Sequence, residues 1–392
     1  MVEWTECSLE EIGEIIGGAT PSTKREDYYG GSIPWITPKD LSSFEGRFIS
    51  RGERNITDEG FRSCSTKMLP KGAVLFTSRA PIGYVAIASQ SVCTNQGFKS
   101  VVTNERADPL FVYYLLKHNR EYIERLGSGT TFKEVSGKVM QSVKVRVPQD
   151  VHYQKKIASI LDSLDSQIET NKQINDNLQQ LLFLLYENII LGTSCTKETQ
   201  LSELCSFQEG YVNPAQTHPE YFDGEVKWLR AVDINESFII ETSRTLTRAG
   251  FESAKKSALL FKPNTIAISK SGTIGRLGII ADYMCGNRAV INIVPNNTNT
   301  LPFIYCFLKR KQREFSNIAV GSVQKNLYVS LLEPLAVSIP DDETLDKFNA
   351  AGVSLLNAVH NNCVENKKLT RLRDTLLPKL MSGEIDVSDV QL

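Results

Sequence analysis

YQKKIASILDSLDSQIETNKQINDNLQQLLFLLYENIIL, residues 153–191, reads as one long helix. Its apolar side chains fall at Ile157, Leu161, Leu164, Ile168, Leu178, Leu182, Leu185 and Ile189, steps of four and three that keep a narrow seam on one face. Two polar residues, Asn171 and Asn175, occupy that seam. At 1.5 Å per residue the helix is a rod of roughly 55 Å, longer than one small domain covers, so the seam needs a partner helix.

The chain supplies that partner at residues 346–380, DKFNAAGVSLLNAVHNNCVENKKLTRLRDTLLPKL. The same walk gives Phe348, Gly352, Leu355, Val359, Asn362, Asn366, Leu369, Arg373, Leu376 and Leu380. Phe348 lies 191 positions after Ile157, and Asn362 and Asn366 lie 191 after Asn171 and Asn175. Two copies of one helix in a chain can pair antiparallel about a local two-fold axis, an arrangement expected to set Asn171 against Asn366 and Asn175 against Asn362. A buried amide is stabilised when another amide answers it, so these four are candidate determinants of coiled-coil register. The alternative is that they are solvated helix positions.

The repeat extends to the segments outside the helices. Pro81-Ile82-Gly83 matches Thr273-Ile274-Gly275, and Asn95, Phe111, Gly129, Lys133 and Pro148 match Asn287, Phe303, Gly321, Lys325 and Pro340, each pair 192 apart. YYGGSIPWITPKDL (28–41) matches YFDGEVKWLRAVDI (221–234). A period this long means duplicated domains rather than a solenoid of small repeats. Each copy carries short apolar and β-branched runs broken by Pro and Gly, AVLFTSR (73–79) with GYVAIAS (83–89), which is hairpin chemistry, and a closing alternating strand, SVKVRVP (142–148). Between them PLFVYYLLKHNREYIERL (109–126) is expected to be one helix, and the second copy repeats the order. Asp150 is placed to cap the first long helix and Gly192 to stop it; Asp341 and Asp342 precede the second, which meets Pro378 and then Gly383. Residues 193–200 read as a polar linker.

The fold class expected is therefore α+β, with two strand-rich domains joined by two long antiparallel helices and an internal pseudo-two-fold. The boundaries are 1–150, first domain; 151–192, first helix; 193–343, second domain; 344–383, second helix; and 384–392, C-terminal tail.

At 392 residues and 41% hydrophobic content the chain holds more than one core. It has no run of about 18 apolar residues, and its N-terminus is acidic ahead of its apolar residues, which argues against a membrane span and a secretory signal and for a cytoplasmic protein. The eight cysteines lack Cys-x-x-Cys spacing and read as reduced, mostly buried thiols. Lys plus Arg number 44 against 45 Asp plus Glu, so any basic surface is local.

No phosphate loop, dinucleotide fingerprint or His-Glu-x-x-His is present, and the four histidines are scattered singles. No catalytic residue or metal ligand is expected. What remains is a set of polar, partly basic loops at matched positions: Lys39 and Arg230 after the two tryptophans; Ser78 and Arg79 against Lys270, Ser271 and Thr273 at a strand end; Thr130, Thr131 and Lys133 after Gly129 against Gln324, Lys325 and Asn326 after Gly321; and Lys24. Hydroxyls, amides and cations on loops held by a rigid scaffold are the groups that bond phosphates and read base edges. Taken singly, each of these residues also fits an ordinary solvated turn.

VPQDVHYQKKIASILDSLDSQIETN (147–171) and LTRLRDTLLPKLMSGEI (369–385), with GGATPS (17–22) and NQGF (95–98), resemble the specificity subunit of type I restriction-modification systems over nearly the whole chain. The lead into the second helix, IPDDETLDKFNAAGV (339–353), departs from the Gln-rich pattern of that family. The resemblance implies a non-catalytic subunit whose two target-recognition domains each read half of a split, asymmetric site on double-stranded DNA. It implies paired helices that act as a spacer and as a docking surface for two methyltransferase subunits, with restriction or motor subunits joining them. S-adenosylmethionine, ATP and Mg are then expected on the partners and no cofactor in this chain. The competing reading from a different class is a non-catalytic structural adaptor whose domains bind protein.

Overall fold

The computed structural model describes residues 2–79, 81–129, 133–192, 197–321 and 325–391. The chain divides into two units, Met1–Glu169 with Leu369–Leu392, and Thr170–Lys368. Each unit holds one globular part and a portion of both long helices, Val151–Gly192 and Asp342–Ser382.

In the first unit a five-stranded sheet runs in the order Gly13–Gly17, Lys99–Thr103, Val74–Ser78, Ile82–Ala88 and Phe48–Ile49. All neighbours are antiparallel except the last pair, which is parallel. A smaller sheet of Arg54–Ile56, Tyr29–Ile36 and Cys93–Thr94 accompanies it. The second unit has the same order, Cys205–Glu209, Val290–Pro295, Ile266–Ser269, Leu277–Ile280 and Phe238–Ile239, and its smaller sheet of Thr245–Leu246, Phe222–Leu229 and Met284–Gly286 adds a fourth strand, Leu260–Phe261. The duplication read from the sequence is thus a duplication of sheet topology.

The core of the first unit joins Val74, Phe76, Ile82 and Val101 of the sheet, Phe111 to Leu116 of the crossing helix, and Tyr153, Ile157, Leu161 and Leu380 of the long helices. The second unit joins Ile266, Ile268, Ile291 and Ile293 to Phe303 to Leu308, then to Leu182, Tyr186, Phe348 and Leu356. Fully burying each such Leu, Ile or Phe contributes about 1.5–3 kcal/mol. The long helices gain their stability from this packing rather than from their length alone.

An aspartate precedes each long helix. Asp150 Oδ1 accepts the His152 amide at 2.8 Å and Asp341 Oδ1 accepts the Thr344 amide at 2.9 Å, satisfying N–H groups that have no partner within the helix. The second helix ends at Gly383, whose φ of 76° is the left-handed conformation that favours glycine.

Three local expectations differ from the structure. The stretch 109–126 is two helices, Pro109–His118 and Arg120–Arg125, because Asn119 sits at ψ 8° and its side-chain amide donates to the Leu115 carbonyl at 2.8 Å; its counterpart, Leu301–Ile318, is unbroken. The linker 193–200 contains a strand, Lys197–Gln200, antiparallel to Ala336–Ile339, just as Trp4–Ser8 pairs with Lys144–Pro148. The closing strand of the first copy starts two residues late because Gly137–Ser142 is helical. Among the described residues, no helix is long and apolar enough to cross a membrane.

Candidate nucleic-acid interface

In each globular part the loop after the tryptophan and the strand end singled out above bond one short segment, residues 94–98 in the first and 286–290 in the second, and the segment after Gly129 or Gly321 joins through the strand end. In the first, the Asn95 amide donates to Ile36 O at 3.0 Å, just before Lys39, and the Ser78 amide donates to Gly97 O at 2.7 Å. The Val135 amide donates to Ser78 O at 2.9 Å, so the strand end and the segment after Gly129 lie side by side. The second repeats this bond for bond: Asn287 N to Leu229 O, Lys270 N to Ala289 O, and Leu327 N to Lys270 O, at 2.9, 2.7 and 2.9 Å.

Glycine permits the tightest approach in this junction. A Cβ on Gly18 would stand 2.2 Å from the Thr94 and Asn95 carbonyls, and one on Gly210 would stand 2.1 Å from Asn287 O. The GGATPS and NQGF segments therefore pack directly on each other, and the Thr20 hydroxyl donates to Gln96. The indole Nε1 of Trp35 donates to Ala19 O at 3.1 Å and that of Trp228 to Val212 O at 2.7 Å, fixing the loops that carry Lys39 and Arg230.

The candidate side chains differ in freedom. Lys24, Lys39, Lys133 and Lys325 are exposed. Lys39 pairs with Glu53 at 2.7 Å, and Lys325 Nζ donates to Ser316 O at 3.4 Å. Arg79 pairs with Glu134 at 3.4 Å. Arg230 stacks on Trp228 and donates to Ser243 at 2.5 Å. Lys270 pairs with Glu209 at 2.5 Å and lies over the Tyr328 ring. Burial would raise the Glu209 carboxyl, but the bonds from Lys270 and Tyr211 outweigh it and hold it below the usual glutamate range. Ser271 is half-buried, Thr273 is exposed, and Asn326 pairs through its backbone with Val320.

Ser78 does not face solvent. Its residue is fully buried and its hydroxyl donates to Gly97 O at 3.2 Å, because the strand runs one residue further than a loop reading implies. Thr130, Thr131 and Gln324 lie outside the described residues.

Sequence reasoning missed a neighbouring groove of about 800 Å³ lined by Tyr29, Arg51, Glu53, Arg54 and Asn55. Its signal was the charged run RGERN (51–55), in which Arg54, paired with Trp35, is matched in the second copy by Arg244 beside Trp228.

On the helices, within the second unit, Asn171 donates its side-chain amide to Asn366 at 2.9 Å and Asn362 donates to Asn175 at 2.8 Å. Asn171 also bonds Glu365, and Asn175 donates to Cys363 Sγ. Within the first unit Arg373 donates to the buried Asp165 at 2.6 Å, and the Tyr114 hydroxyl donates to the same carboxylate at 2.9 Å. Arg47, also buried, reaches Asp162, Ser166 and Glu169 on the first helix. None of the described residues forms a cluster of three or more His, Cys, Asp or Glu able to hold a metal.

Residues 1–180 and 195–372 each match the family described as the type I restriction modification DNA specificity domain. The chain belongs to that family. It is 32% identical to the type I restriction enzyme MjaIX specificity subunit of Methanocaldococcus jannaschii, over 99% of this chain and 95% of that protein. It is 22% identical to the HindI specificity subunit of Haemophilus influenzae, over 98% and 100%. The crystal structure of a type I restriction-modification S subunit from M. genitalium has the same fold, with a TM-score of 0.58 at 20% identity over 97% of this chain and 96% of that one. Two family domains in tandem account for the doubled topology. As a specificity subunit the chain is non-catalytic.

Proposed function

We propose that the chain reads a bipartite, asymmetric site on double-stranded DNA, one half-site per globular part, and scaffolds the subunits that act on that DNA. The observation that carries this reading is the junction of these segments around residues 94–98 and 286–290, identical in backbone bonding in the two copies while the side chains they carry differ. A conserved frame with unlike side chains is what two readers of unlike half-sites require. Lys24, Lys133 and Lys325 hold phosphates, and the groove beside Arg51 and Arg54 takes a base edge or backbone; a good bidentate base contact is worth about 1–3 kcal/mol of discrimination.

Residues 1–150 and 193–343 are the two readers, and residues 151–192 and 344–383 set the gap between half-sites, with the asparagine pairs holding their register. Partner docking falls on the helices, where Leu181 and Leu372 lie 191 positions apart and are 46% and 47% exposed. Equivalent apolar points on two copies of one helix suit two copies of one partner, the methyltransferase subunit. Those subunits bring S-adenosylmethionine for adenine modification, and restriction or motor subunits bring ATP and Mg, in the cytoplasm. Filter binding with the methyltransferase subunit present tests the reading: a steep loss of affinity with salt is expected, and salt-independent binding or none favours a protein adaptor instead.

A further inference from the structure

The asparagine pairs of the two long helices do not distinguish one helix from the other. Asn171 corresponds to Asn362 and Asn175 to Asn366 through the 191-residue step. If the first helix met the first helix of a second copy of this chain, Asn171 of one would face Asn175 of the other, and both amide pairs would survive.

Two other polar contacts lack that property: Asn171 with Glu365, whose counterpart is Ile174, and the ion pair of Arg373 on the seam with Asp165 beside it. Arg373 bonds Asp165 at 2.6 Å, with Asp165 buried and held also by Tyr114. The same step carries Asp165 to Leu356 and Arg373 to Leu182, both buried in the second unit's core, and Tyr114 matches Cys306 at the crossing-helix step of 192. One end of the helix pair is therefore closed by an ion pair and the other by leucines. In a pairing of first helix with first helix, each Asp165 would face a leucine and lose its direct ion pair, keeping the Tyr114 hydroxyl and the field of the nearby Lys117. In a pairing of second with second, each Arg373 would face Leu356 and keep only its exposed neighbour Asp374. A buried charge stripped of its partner is strongly disfavoured, whereas the same positions filled by apolar side chains are tolerated.

We propose that Asp165 and Arg373 are a pairing code: they select the union of first helix with second helix within one chain and reject like-with-like union with another copy of this chain, or with a related chain built on the same repeat. The consequence that each chain keeps two unlike DNA readers rests on the function proposed above; the pairing rule itself does not, and its test involves no DNA.

Two full-length variants test it. Leu182→Arg with Arg373→Leu moves the arginine to the equivalent position of the first helix, so that Asp165 finds a cation only on a second copy. Light scattering after size exclusion should report twice the chain mass where the wild type reports one; a folded monomer overturns the rule. Asp165→Leu with Arg373→Leu makes all four positions apolar. When two differently tagged copies are denatured, mixed and refolded, this variant should co-purify across tags at least tenfold more than the wild type. Co-purification at the wild-type level overturns the proposal, and so does failure of this variant to fold, since the pair would then serve folding rather than choice of partner.

Discussion

Asn362 donates its side-chain amide to Asn175 at 2.8 Å, one of two asparagine pairs in a mostly apolar seam. Asn362→Leu removes the donor and leaves the Asn175 carbonyl oxygen unanswered, at a cost of about 1–3 kcal/mol in chemical denaturation. The double variant Asn175→Leu with Asn362→Leu should recover most of that loss, and the interaction energy from the double-mutant cycle should be clearly non-zero. Simple additivity would mean that the two amides are independent solvated groups.

Arg47 ties the first globular part to its helix through Asp162, Ser166 and Glu169. Arg47→Met should destabilise the chain by about 2–3 kcal/mol, below the fully buried range because both carboxylates keep some solvent. Burial already raises the Asp162 carboxyl against the pull of Arg47, so removing the guanidinium should raise it further, which carbon-detected NMR titration reads directly.

Glu209 supplies the pH dependence. Its folded-state pKa lies below the ordinary 4.5, so its pairing with Lys270 contributes stability in full above about pH 4.5 and loses it as pH falls through the lowered value. The difference in denaturation midpoint between the wild type and Glu209→Gln should be largest near neutrality and shrink in acid. A difference unchanged down to the acid transition would contradict the assignment.

The exposed cations should behave differently from the paired ones. Lys133→Ala, and separately Arg54→Ala, should weaken DNA binding of the complex and lower the slope of log affinity against log salt by about 1 each. Lys270→Ala, whose cation is already held by Glu209 and Tyr328, should change the slope less. Equal slopes for all three would remove the distinction.

The duplication, the helix pair and the sheet-forming runs were legible in the sequence because they rest on periodicity and on a repeat that survives divergence. Asp165 was not, since the four-three walk assigns the seam to Leu164 and a carboxylate is read as solvated unless its partners, here Arg373 and Tyr114 from distant segments, are known. Arg47 was hidden for the same reason. Ser78 was misread because a hydroxyl at a strand end looks the same in sequence whether it faces solvent or, as here, a carbonyl inside the fold. The loops could be named from their matched positions; their junction around residues 94–98 and 286–290 could not, because it depends on backbone bonds between segments far apart in the chain.

The proposed function requires two unlike readers held at a distance set by the paired helices. It is tested most directly by inserting one heptad into each helix, between Glu169 and Thr170 and between Lys368 and Leu369, and mapping modified adenines in cells that also carry the methyltransferase subunit. At 1.5 Å per residue the insertion adds about 10 Å, so the expected result is a two-part motif with both halves unchanged and a gap about three base pairs longer. A gap of unchanged length, or a motif without two separate parts, would contradict it.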